Sequence, residues 1–287
     1  MASVETEIEV RCALRALQEL PPPPAGTRRL LDVLRDESVD LRDVAEAVEE
    51  VPPVAARLVG LAGSAYFGSR SPVRSVEDAI VRVLGLKFTR SVALGIALSG
   101  LFDARGCSAF DMGRYWGSAL GTAAVARALS GRGGVQDIDA EAAYLCGLLH
   151  NLGLLALVHV AASEVDGALR QADGAPPPAL AVAMRERLGT DHWAAGAWVA
   201  RRWQLPPAVA WVMEHYHDAD YCGEDWQMVV LVGESARWWR WRGASGDTVP
   251  CLDRLGMDAA AVARLIERAE PALDAVGELT RMMSAGP

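Results

Sequence analysis

The sequence predicts an all-α fold, and three observations carry that prediction. Apolar residues recur at three- and four-residue spacings almost end to end. No segment alternates apolar and polar residues as a half-buried strand would. Prolines, glycines and short polar residues cut the chain into helix-sized lengths. With 287 residues, 51% hydrophobic and 23% charged, the chain can bury one large core or two modest ones.

The elements follow in order. Leu14–Leu20 reads as a helix stopped by Pro21-Pro22-Pro23-Pro24, which sets an extended segment. Helical pattern resumes at Thr27, with Leu30, Leu31, Val33 and Leu34 apolar among charges. A helix follows from Leu41 to about Glu50, with Asp40 placed as its N-cap. Pro52-Pro53 opens the next, carrying Val54, Leu58, Val59 and Leu61. After the loop Gly68–Pro72, Ser75 and Asp78 form a capping-box pattern that opens a helix from Val76 to about Leu84, and Lys87–Leu101 is another apolar helix.

A second unit starts near Asp111. Arg114–Leu129 is helical, Gly131–Gly134 is a flexible turn, and Glu141 to about His159 is a central apolar helix. Beyond the loop Asp173–Pro178, helices are expected at Leu180–Leu188, at His192–Trp203, and from Pro206-Pro207 to about His215. The tail holds helices near Met228–Trp239 and Asp258–Met282, with Pro271 as a kink or break. The expected organisation is an extension over 1–19, two adjoining helical lobes over 20–102 and 111–217, and a helical tail over 218–287 packed back on them.

The net charge of −9 gives no general attraction to nucleic acid or anionic lipid, so no nucleic-acid partner is expected. Lys87 is the sole lysine, and the scattered arginines read as compositional bias rather than as a phosphate site. Five cysteines without C-x-x-C spacing read as reduced thiols, and the N-terminus has no signal-peptide core, so a cytoplasmic location is expected. Ala142–Ala162 lacks any formally charged side chain and could reach across a bilayer. It holds His150, Asn151, His159, Gly147 and Gly153 and has no basic flank, so it reads as a buried core helix and not as a membrane span.

Within that helix stands Leu148-Leu149-His150-Asn151-Leu152-Gly153. It resembles the tandem His-Asp helix of the HD phosphohydrolase superfamily, with Asn151 in the aspartate's place. Other segments resemble one branch of it, the HDOD (HD-related output) domains, in family order: Leu20–Pro23, Pro53–Gly68, Val73–Leu86, Trp116-Gly117-Ser118, Asp191–Gly196, Trp203–Pro206 and His215-Tyr216-His217. The resemblance spans about Leu20 to His217 and implies an all-helical fold and a bacterial signalling role.

HD enzymes hydrolyse phosphate esters with metal ions that activate water and neutralise phosphate charge. Their site needs imidazoles and a carboxylate converging from separate helices. Asn151 offers only a neutral carbonyl, a much weaker ligand. The first family histidine falls at about Gly117, which has no side chain. His150, His192, His215 and His217 are left as vestigial positions, and Asp218 lies beyond the last matched helix. No metal or other cofactor is therefore expected, and phosphohydrolase activity is expected to be lost. His150 and Asn151 could bind a ligand, or be a satisfied polar pair in the core.

The run Trp238-Trp239-Arg240-Trp241 is a candidate partner- or ligand-binding patch, or a helix end whose tryptophans pack on the bundle. The expected function is a non-catalytic regulatory module acting on a signalling protein or a small ligand. The alternatives are a nucleotide phosphodiesterase with a remodelled site, and a receptor for a cyclic nucleotide in the old cleft.

Overall fold

The computed structural model describes residues 17, 20, 22–36, 38–64, 67, 72–131, 133–173, 177–242 and 249–284. Among them no strand forms, and a single isolated bridge pairs Ser130 with Val135.

In the N-terminal lobe, local capping chemistry sets the helix starts. After Pro22–Pro24, α1 (Ala25–Arg35) buries Leu30, Leu31 and Leu34. Asp40 accepts from the backbone N–H groups of Arg42 and Asp43 and starts α2 (Leu41–Glu49). Prolines at its first two positions open α3 (Pro52–Ala62). The Ser75 hydroxyl accepts from Asp78 N–H at 3.0 Å, opening α4 (Val76–Ala79). That helix runs into a π-helical turn, Ile80–Leu84, and stops at Gly85, whose φ of +75° suits a residue without a Cβ. The lobe closes with α5 (Leu86–Ser99), nearly all buried. The helix expected at Leu14–Leu20 lies outside the described residues apart from Leu17 and Leu20, both of which are buried, and the loop at 68–71 lies outside them altogether.

The bundle is organised around α6 (Met112–Leu129), capped by Asp111. Next come α7 (Ala140–Leu149), capped by Asp139, then α8 (Leu152–Val160), α9 (Ala162–Gln171) and α10 (Pro177–Leu188). It continues with α11 (His192–Arg202), capped by Asp191, and α12 (Pro207–His215). The C-terminal α13 (Trp226–Trp241), α14 (Ala259–Asp274) and α15 (Val276–Ser284) all pack on α6, and α15 also reaches α3. The lobes meet where α5 packs on α7, and one buried apolar cluster runs through both.

One expectation is corrected. The central helix is not continuous: it breaks at His150-Asn151 into α7 and α8, with Asn151 at φ −101°, ψ 8°. Pro271 lies inside its helix, which passes through it to Asp274, and the tail's break falls at Ala275. A missing N–H costs one helical bond at Pro271, and Val262, Leu265, Ile266 and Leu273 remain buried on the same helix. The apolar stretch Ala140–Val160 is long enough to cross a membrane by composition, yet 72% of its most apolar part is buried in this fold.

Candidate functional site

The α7–α8 break would lead nowhere without close helix crossings around it. A Cβ on Gly147 would lie 2.7 Å from the Ala123 Cα, so α7 and α6 touch backbone to backbone. A Cβ on Gly153 would lie 2.0 Å from the His192 carbonyl oxygen and 2.3 Å from the Gly196 nitrogen, so α8 and α11 do the same. On Gly233 it would fall 2.3 Å from the Tyr216 carbonyl oxygen, which draws α13 onto the end of α12. These contacts bring His150, Asn151, His192 and Tyr216 together around a cavity of about 710 Å³, within the range of small-molecule sites.

A chain of hydrogen bonds forms its floor. The Tyr216 hydroxyl donates to Asn151 Oδ1 at 3.0 Å, and Asn151 Nδ2 donates to Ser118 Oγ at 3.0 Å. His150 Nδ1 lies 2.6 Å from the Gly147 carbonyl. A carbonyl only accepts, so Nδ1 carries the proton and Nε2 is free to accept from Ser118 Oγ, 3.5 Å away. Burial lowers the His150 imidazole to about 4, helped by the charge of Arg240 and opposed by the Gly147 carbonyl. Burial likewise lowers His192 to about 4, against the pull of Asp191. Asp191 itself caps α11 and pairs with Arg185. Both imidazoles are thus neutral at pH 7.

The floor is not fully satisfied. His192 Nδ1 is buried on the cavity wall with no hydrogen-bond partner among the described residues, and the neighbouring Trp193 indole faces Tyr216 edge-on. His217 stacks on Trp193 with ring centroids 3.6 Å apart and planes 4° apart.

The rim is cationic. Arg114, Arg170, Arg237 and Arg240 line the cavity against the single carboxylate of Asp173. Arg170 is held by Asp166 at 2.8 Å and Arg237 pairs with Glu234. Arg114 and Arg240 have no ion-pair partner among the described residues, where no group of three or more His, Cys, Asp or Glu side chains could hold a metal.

The sequence-derived positions separate. His150, Asn151, His192 and His217 line the cavity. Gly117 does not: a Cβ there would meet Thr280 of α15 at 3.7 Å, and the cavity-facing residues of α6 are Arg114 and Ser118. His215 is turned away and stacks on Tyr221 with centroids 4.3 Å apart. The Trp238–Trp241 patch is divided. Trp239 packs so closely on α6 that a Cβ on Gly121 would lie 1.9 Å from its indole, and Arg242 lies over Trp238 and Trp239. Arg240 and the half-exposed Trp241 reach the rim. Ser118, Tyr216 and Arg114 were not singled out from sequence. The first two stand inside quoted motifs, and Arg114 lies one helical turn before Ser118.

The HDOD domain family matches residues 20–219. An uncharacterized protein of Treponema pallidum (strain Nichols) is 25% identical over 224 residues, 75% of this chain and 40% of that protein, so the chain spans well under half of this relative. Among solved structures, a Marinobacter aquaeolei VT8 protein whose name proposes a signal transduction role superposes with TM-score 0.78 at 24% identity, over 97% of this chain and 66% of that one. A Geobacter sulfurreducens HDOD domain protein of unknown function superposes with TM-score 0.71 at 22% identity, over 95% and 98%. A Shewanella amazonensis SB2B protein whose name proposes phosphohydrolase activity gives 0.71 at 24% identity, over 95% and 97%. At these identities the likenesses carry the fold alone.

Proposed function

Because the chain belongs to the HDOD domain family, we propose that it is a non-catalytic bacterial regulatory module that takes an input at this cavity and passes it to a partner protein in the cytoplasm. One observation carries the reading. Asn151, the residue in the place of the metal-binding carboxylate, spends both ends of its amide on Tyr216 and Ser118. A neutral amide held between two hydroxyls has no charge for a divalent ion, and its carbonyl oxygen already accepts from Tyr216. The neighbouring α6 position supplies Ser118, a weak ligand for such an ion, and the rim adds positive charge that repels it. The signalling name of the Marinobacter structure and the phosphohydrolase name of the Shewanella one are compatible with a shared scaffold put to different uses.

The test is turnover. The purified chain, supplied with manganese, is given a generic phosphodiester and cyclic dinucleotides. No metal-dependent hydrolysis is expected from it or from Asn151→Asp. The variant should also melt lower by about 1 kcal/mol, because a carboxylate cannot donate to Ser118 and is costly where it is partly buried. Metal-dependent hydrolysis by either protein, or stabilisation of Asn151→Asp by manganese, would overturn the non-catalytic reading in favour of a phosphodiesterase.

A further inference from the structure

We propose that the cavity is a metal-independent receptor for a small phosphate-bearing molecule, gripped between Arg114 on α6 and Arg240 on α13, and that the bound molecule fastens the C-terminal helices to the bundle. This rests on the regulatory reading above and names the ligand class and what binding does.

The argument starts from sign. A site that holds a divalent cation has to present negative charge to it. This one presents four guanidinium groups against one carboxylate. Two of those groups are already answered, by Asp166 and Glu234. The two without an ion-pair partner among the described residues come from different helices, so an anion between them is met from two sides. Guanidinium groups present paired N–H donors in a plane, which match the oxygens of a phosphate. They also need no bound metal to do so.

The floor supplies the second, independent observation. His192 is buried to 6% exposure, and its Nδ1 finds no partner among the described residues. Buried polar atoms are normally paired, and an unpaired imidazole nitrogen on the wall of a cavity marks where a ligand's polar atom completes the set. Arg240 is exposed at the rim, and its charge reaches His150 and His192 on the floor below. At about 710 Å³ the space exceeds a lone phosphate and suits a molecule of nucleotide size, with the half-exposed Trp241 at the rim.

Regulation follows from where the arginines sit. The family match ends at residue 219, whereas Arg240 and Trp241 belong to α13, which follows it. A molecule that touches Arg114 and Arg240 at once ties α13 to the central helix of the bundle, so its arrival and departure set how firmly the C-terminal helices are held.

The experiment uses the full chain in EDTA, with AMP and pyrophosphate as probes and citrate as an anion without phosphate geometry. Calorimetry should show binding of AMP or pyrophosphate without metal, and weaker binding of citrate. Arg114→Gln and Arg240→Gln should each weaken it about tenfold or more, the scale of a lost charge-assisted hydrogen bond. Arg201→Gln, which breaks the pair with Glu214 away from the cavity, should leave it within about twofold. Hydrogen exchange should slow in α13 on binding. The proposal is overturned if neither phosphate probe binds, if binding needs a divalent ion, if citrate binds as well, if either cavity substitution leaves affinity unchanged, or if α13 exchange does not respond. The readings fail separately: metal-dependent hydrolysis would sink the non-catalytic reading, whereas absent phosphate binding would sink this one alone.

Discussion

The N-terminal lobe and the bundle each carry an arginine where helices meet, and the two are treated in opposite ways. Arg90 of α5 donates to the carbonyls of Val33, Leu34, Asp36 and Val39, and so closes the end of α1 and the turn that follows. Arg240 of α13 stands over a cavity with no ion-pair partner among the described residues. In the lobe, Asp40, Ser75 and Thr89 are spent on local backbone. In the bundle, Asp111 and Asp191 are spent likewise, but a buried His192 Nδ1 on the wall of the cavity is left without a partner among the described residues. Polar groups turned inward on their own backbone build structure, and groups left open around a shared space are available for recognition.

The largest expected effect breaks the bundle's half of that contrast. Gly153→Val puts side-chain atoms where the His192 carbonyl and the Gly196 backbone already stand. Neither obstacle is a flexible side chain, so α8 and α11 must separate. A cost of about 3 kcal/mol or more is expected, the upper end for an overpacked core, together with loss of the cavity. Circular dichroism melting checks it, and a melting point near that of the parent chain would show that the crossing is not tight.

Second in size is an acid instability specific to the bundle. His150 and His192 are held near 4 when folded and titrate near 6.5 when unfolded. Between those values the unfolded chain binds protons that the native chain refuses. Their contribution is therefore fully present above about pH 6.5 and is lost as the pH falls toward 4. About 3 kcal/mol per histidine is the ceiling for shifts of this size. Urea unfolding midpoints from pH 7.5 to 4.5 should fall steeply, and His192→Gln should flatten the slope. An unchanged slope in that variant would mean that the ring is protonated in the fold.

Much of the fold was legible in the sequence because its signals are local. Asp40, Ser75, Asp111 and Asp191 cap helices by bonding to backbone two or three residues away, and a residue pattern records that directly. The break at His150-Asn151 was not legible. An uninterrupted apolar run reads as one helix, and what opens the run is contact with helices remote in sequence. The cavity was half legible. Its imidazoles stand in quoted motifs, but Arg114, Arg170, Arg237 and Arg240 are spread over more than a hundred residues and look like composition until the helices gather them. Gly117 shows the same limit in reverse: the family resemblance marks the position, while the direction it faces is set by the packing of α15.

The arginine contrast itself is sharpened by a matched pair. Arg90→Gln should destabilise the chain by about 2 kcal/mol, since four carbonyls, three of them half-buried, lose a charge-assisted donor. Arg240→Gln should leave stability within about 0.5 kcal/mol, the range for an exposed side chain away from special features. Equal losses in chemical denaturation would mean that Arg240 is a structural residue after all.

The smallest effect tests the orientation of α6. Gly117 and Gly121 lie one turn apart on the same helix and face different neighbours. A Cβ at 117 meets Thr280 at ordinary contact distance, 3.7 Å, while one at 121 would sit 1.9 Å from the Trp239 indole. Alanine at 117 therefore removes a helix-interior glycine without a clash and should stabilise by about 0.5–1 kcal/mol. Alanine at 121 gains the same propensity but forces Trp239 off the helix, and should come out destabilising by about 1–3 kcal/mol. If position 117 faced the cavity, its alanine would alter phosphate binding with little effect on melting. Since it faces α15, the melting point of Gly117→Ala should rise while the affinity for pyrophosphate stays where it was.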